Sequence, residues 1–139
     1  MTLTEKLARL LADLDVFDDP QERLTAVIDR ARRLAPLPIS QRTDDHRVRG
    51  CVSVVWLACE LRAGRCYFHG EAESPVVRGL IALLSDFFSG ATPAEILASD
   101  LDPLAALDLT RNLSPTRRNG LASTREAIRA FAASQVSHP

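Results

Sequence analysis

Hydrophobic positions recur along this chain with two different periods, and the changes of period mark out its elements. From Thr4 to Leu14, and again from Pro20 to Leu34, apolar residues return at helical spacing; Leu24, Val27, Ile28, Ala31 and Leu34 share one face of the second segment. Pro36 and Pro38 break that pattern, and the polar stretch from Ile39 to Gly50 reads as a loop or an extended lead-in. Between Val52 and Leu61, β-branched and aromatic residues crowd into a short run, which predicts a strand buried on both faces. Arg62-Ala63-Gly64-Arg65 supplies a turn, Cys66–His69 the returning strand, and His46–Arg49 offers a third strand. Gly70–Glu73 reads as a polar corner. Pro75–Ser89 is apolar nearly all round and is predicted to be the central helix. Short helices are expected at Pro93–Ala98 and Pro103–Leu109. The last helix, Pro115–Ser134, has a thin apolar face of Leu121, Ile128 and Phe131 and is expected to pack on the outside.

The helix starts carry their own chemistry. Asp19-Pro20-Gln21-Glu22 and Thr92-Pro93-Ala94-Glu95 each offer an oxygen acceptor, a proline at the first helical position and a glutamate three residues after the cap. Ser74-Pro75 and Ser114-Pro115 are shorter versions. The expected architecture is α+β: a small antiparallel sheet, of about three strands, covered by helices. The chain of 139 residues reads as a single domain over 1–139.

Composition narrows the function. Seventeen basic side chains oppose eighteen acidic ones, for a formal charge of -1, so nothing draws the chain generally to nucleic acid or anionic lipid. Aromatics make up only 5%, too few for a base-stacking platform. No apolar run approaches the ~20 residues that cross a bilayer. Glu5, Lys6, Arg9 and Asp13 interrupt the start, unlike a secretory signal. With three cysteines at least one thiol is free of any internal disulfide, and reduced thiols in the cytoplasm are the expectation.

Candidate chemistry centres on Cys51. It follows a charged loop with His46, Arg47 and Arg49 close by, and Gly50 beside it permits unusual backbone angles. Neighbouring positive charge favours the thiolate, the reactive form, although a free cysteine also serves as a small buried hydrophobe. Cys59 and Cys66 fall in the predicted hairpin and read as core residues. Their separation from Cys51 and from each other, seven and six residues, is unlike the knuckles of a zinc site. His69 would face away from Cys66 on a strand. Glu71 and Glu73 precede a helix, where the macrodipole favours them; one of them could instead answer a basic side chain near Cys51. Arg117 and Arg118 oppose the dipole of their own helix, which points to a carboxylate partner for one of them. There is no phosphate-binding glycine loop, no nucleophile elbow and no His-x3-His pair; His138 falls in a tail expected to fray.

Three blocks resemble the SufE family, the sulfur acceptors that include the CsdE-type proteins. They are Val48-Arg49-Gly50-Cys51-Val52-Ser53-Val54-Val55-Trp56, Gly70-Glu71-Ala72-Glu73-Ser74-Pro75-Val76-Val77-Arg78-Gly79-Leu80, and Leu113-Ser114-Pro115-Thr116-Arg117-Arg118-Asn119-Gly120-Leu121. The resemblance covers roughly residues 5 to 134. It implies an α+β fold like that of the IscU-type scaffolds, and a partner, a pyridoxal-phosphate-dependent cysteine desulfurase of the SufS or CsdA kind. It also implies a role for Cys51: accepting persulfide sulfur, stimulating the desulfurase, and handing the sulfur on to a scaffold complex for iron–sulfur cluster assembly. The chain itself would need no cofactor and no metal, and turnover would belong to the desulfurase. Glu73 and Arg117 match supporting positions near the cysteine loop, although some relatives carry aspartate where Glu73 stands. His69 and Pro75 depart from the commoner choices. Two other readings remain for three cysteines on such a fold: a metal- or cluster-binding module, and a thiol redox sensor. A Cys51 tucked against Val52, Trp56 and the Pro75–Phe88 helix would rest as a neutral thiol, since desolvation opposes its ionisation.

Overall fold

The computed structural model describes residues 1–50 and 52–136. In chain order it contains α1 (Leu3–Leu14), α2 (Pro20–Ala31), two single 3-10 turns (Ile39–Gln41 and Asp44–His46), β1 (Val55–Arg62), β2 (Arg65–Ala72), α3 (Pro75–Phe88), α4 (Pro93–Ala98), α5 (Pro103–Ala106) and α6 (Pro115–Val136). This is the expected α+β arrangement. None of these helices is long and apolar enough to cross a membrane.

Local chemistry sets the helix starts. The capping box at Thr92 is complete: its hydroxyl accepts from the Glu95 N–H at 3.2 Å, and Glu95 Oε1 accepts from the Thr92 N–H at 3.2 Å. Asp19, Ser74 and Asp102 each cap with a side-chain oxygen ahead of a proline. Thr2 and Glu5 form a second complete box, which moves the start of α1 to Leu3.

Strands β1 and β2 form an antiparallel pair joined by Ala63 and Gly64, both at positive φ (51° and 79°), as a two-residue hairpin turn requires. The third strand shrinks to one bridge. Arg47 pairs with Trp56, and the Val48 N–H donates to Val55 O at 2.9 Å. The 3-10 turn ending at His46 prevents pairing before that point, and Gly50, at φ +82°, turns the chain afterwards. The first strand also begins later than its sequence implies. Val52 is 80% exposed and lies outside β1, while Val55 and Leu57 are buried.

Helix α3 is central, as its composition predicts: it touches β2, α2, α6, α1 and α5 and buries Val77, Leu80, Ile81, Leu84, Phe87 and Phe88. It lies so close to β2 that a methyl group on Gly70 would overlap Ile81 Cγ2. Lys6 ties α1 to the end of α3, its Nζ donating to Phe87 O at 3.0 Å and Ser89 O at 2.6 Å. Helix α6 contributes Leu121, Thr124, Ile128 and Ala132 to the core, with Phe131 packed edge-on against Phe68.

Two expectations fail at the same place. Helix α2 stops at Ala31, so Leu34 is 53% exposed and Leu37 takes the buried position. The polar corner at Gly70–Glu73 is instead mostly strand, with Gly70, Glu71 and Ala72 buried. One network accounts for both. Glu71 Oε1 accepts from Arg78 Nε at 2.6 Å and from the Ala72 N–H at 3.1 Å, while Oε2 accepts from the Leu37 N–H at 3.3 Å and faces Arg42 Nη2 at 3.8 Å. Arg78 also donates to Ala31 O and Leu34 O, at 2.7 and 3.3 Å, answering carbonyls that the end of α2 leaves open. Glu71 is therefore a buried strut holding the Leu37–Arg42 segment against the sheet, not a charge facing a helix dipole.

Candidate functional site

The chain enters the site from a pinned segment. Val48 is buried and bonded to β1, and two residues later the chain turns at Gly50. A Cβ at Gly50 would meet Ser123 Oγ only at 3.8 Å, so space does not demand glycine there; the left-handed φ does. Asn119 Nδ2, in α6, donates to Gly50 O at 3.0 Å. Cys51 lies outside the described residues. After it, Val52 is exposed, and Val54 O accepts from the Glu73 N–H at 3.3 Å. Val55 then begins β1.

The three sequence blocks thus converge on one segment. The first contains it, the second holds its exit through the Glu73 backbone and the Trp56–Glu71 pair of the ladder, and the third holds its entrance through Asn119. Glu73 is exposed. Arg117 is exposed in the first turn of α6, its N–H donating to Ser114 Oγ at 3.3 Å. Among the described residues, neither side chain bonds to the other. Arg118 is also exposed and lines a separate small cleft together with Arg125 and Asp102.

A cleft of about 700 Å³ lies alongside, lined among others by Arg47, Arg49, Leu57, Cys59, Asn119 and Ser123. Arg47 and Arg49 in its lining belong to the segment that precedes Cys51 in the chain, and Asp45 and Glu126 line it as well. Cys59 and Cys66 are free thiols on the core-facing side of the hairpin, Cys66 fully buried and Cys59 partly so. Burial pushes the Cys59 thiol up to about 11, with Cys66 nearby adding to the effect, and burial raises Cys66 as well. Both hold their protons more tightly when folded. The stability Cys59 contributes is therefore complete below the unfolded thiol value of about 8.5 and falls as pH rises through about 11, and Cys66 acts in the same direction. Denaturation across that range is expected to show a steeper loss in the wild type than in Cys59→Ala; equal slopes would contradict it. Among the described residues, no group of three or more His, Cys, Asp or Glu could hold a metal ion.

Sequence reasoning missed Asn119 and Glu71 as organisers. Asn119 bonds across 69 positions and Glu71 across 34, and no local pattern carries such a partner. The only signal was their presence in the second and third blocks.

Residues 8–132 match the family model described as SufE, an Fe-S metabolism associated domain. The chain is 31% identical over 119 residues to an uncharacterised SufE-like protein of Synechocystis sp., covering 86% of this chain and 75% of that one. The solution structure of a hypothetical protein from Thermus thermophilus shares the fold, with a TM-score of 0.74 and 18% identity over 96% of this chain and 97% of that one. A family match over residues 8–132, nearly the whole chain and all three blocks, makes this protein a member of the SufE family, associated with iron–sulfur metabolism.

Proposed function

We propose that this chain is a sulfur carrier: Cys51 takes the terminal sulfur of a persulfide from a pyridoxal-phosphate-dependent cysteine desulfurase. By clearing that sulfur it stimulates the enzyme, and it then passes the sulfur to a scaffold complex for iron–sulfur cluster assembly. It acts as one domain, in the cytoplasm, and turnover remains with the desulfurase.

The observation that carries this reading is the convergence of all three family blocks on the segment flanking Cys51. Gly50 supplies the left-handed turn before the thiol. Arg47 and Arg49 stand four and two positions before it in the chain, and neighbouring positive charge favours the thiolate. Glu73 and Arg117 have exposed side chains on the segments that flank it, free to engage a partner surface.

The transfer is a thiolate displacement at sulfur. The Cys51 thiolate attacks the terminal sulfur of the donor persulfide. A new sulfur–sulfur bond forms at Cys51, the donor's own sulfur–sulfur bond breaks, and the electron pair leaves with the donor thiolate. No oxidant or reductant is consumed. Cys59 and Cys66 are assigned no part: Cys66 is fully buried, and burial raises both thiols and so disfavours their thiolates.

The test is the rate at which a cysteine desulfurase forms alanine from cysteine. Adding this chain is expected to raise that rate in a saturable way. A rate unchanged across a panel of desulfurases, with the folded chain in excess, would reject the reading.

A further inference from the structure

We propose that Asn119 is a positioning residue for sulfur transfer, fixing the peptide group that Gly50 shares with Cys51. The inference rests on Cys51 being the sulfur acceptor and assigns its alignment to a side chain on another element.

Three observations carry it. Asn119 Nδ2 donates to Gly50 O at 3.0 Å. That oxygen belongs to the planar amide joining Gly50 to Cys51, so a bond to it restrains rotation of the plane leading into the Cys51 α-carbon. Second, the restraint falls where the chain is least able to hold itself. Gly50 sits at φ +82°, and glycine adopts either sign of φ with ease. Third, the donor stands on a fixed platform. Gly120, Leu121 and Thr124, next to Asn119 on α6, are buried, and Thr124 Oγ1 donates to Gly120 O at 2.8 Å. Asn119 itself is exposed, so its side chain has little part in packing the core.

An amide is the group this position needs. Aspartate has the same shape but would set a carboxylate oxygen against the Gly50 carbonyl, with no proton to donate. Asparagine and aspartate have similar helix propensities, so the exchange changes α6 itself little. A defect in Asn119→Asp therefore reports the lost donor and not a weakened helix.

The experiment compares Asn119→Ala, Asn119→Asp and Asn119→Gln with the wild type in two assays. One is the rate of Cys51 alkylation by iodoacetamide in the isolated protein, read by peptide mass. The other is sulfur transfer from a cysteine desulfurase across a range of carrier concentrations. Asn119→Ala and Asn119→Asp are expected to alkylate about two- to tenfold faster, the factor that one net hydrogen bond represents. Their maximal transfer rate should fall by a similar factor while the half-saturating concentration stays put. Asn119→Gln, which keeps the amide, is expected to restore most of both, and melting temperatures should fall by no more than a few degrees in any of the three. Should Asn119→Ala fail to fold, the aspartate and glutamine variants decide the matter. Wild-type behaviour of Asn119→Asp in both assays would overturn the proposal. Faster alkylation of Asn119→Asp alongside a wild-type chain that accepts no sulfur would uphold the restraint that Asn119 places on the Gly50 peptide and reject the carrier reading on which its role in transfer rests.

Discussion

Replacing Cys51 with serine is expected to leave the chain folded and able to bind a cysteine desulfurase, yet to remove all stimulation of that enzyme. The reason is chemical. A serine hydroxyl is not ionised near neutral pH and does not displace a thiolate from a persulfide; the attacking group in this exchange must be a thiolate. Folding should survive because the residues on either side, Gly50 and Val52, are exposed, and the core begins again only at Val55. Binding and stimulation therefore come apart in this variant. Co-elution with the desulfurase measures the first and alanine formation the second. Full stimulation by Cys51→Ser would mean that the chain activates its partner by contact alone.

The largest loss of stability is expected from Glu71→Ala. The carboxylate is buried and answers the Arg78 guanidinium, the Leu37 and Ala72 N–H groups and, at longer range, Arg42. Truncation leaves a partly buried guanidinium without its counter-charge and two N–H groups without acceptors, a defect of about 3–5 kcal/mol. Glu71→Gln keeps an acceptor and should lose less. Combining Glu71→Ala with Arg78→Met should cost less than the two single losses added together, because the pair shares one interaction. Urea denaturation measures each term. A loss below about 1 kcal/mol for Glu71→Ala would show that the strut contributes little beyond a surface ion pair. The effect should reach the site as well. Glu71 pairs with Trp56 in the ladder, and the chain enters that strand directly after the Cys51 segment.

What the sequence disclosed divides by range. The capping box at Thr92, the proline-led helix starts, the hairpin turn and the central α3 all depend on residues within a few positions of one another, and all are found where the pattern puts them. The exchange of Leu34 for Leu37 in the core was not legible. It depends on Arg78, more than forty positions away, reaching the carbonyls at the end of α2. The burial of Glu71 has the same origin: a glutamate before a helix looks solvated until two arginines and a backbone N–H are brought to it. The third strand failed because one bridge forms between a 3-10 turn and a left-handed glycine. At the site, Gly50 could be read as a turn, whereas its bond to Asn119 could not. Cys51 was singled out by its neighbours and by the block that contains it, and neither depends on tertiary contacts.

The most direct test of the carrier reading is the intact mass of the chain after incubation with a cysteine desulfurase and cysteine, followed by peptide mapping. The account predicts the mass of one added sulfur atom, lost on treatment with a reducing thiol and confined to the peptide containing Cys51. Added sulfur on Cys59 or Cys66, or none on a chain that nonetheless stimulates the enzyme, would contradict it.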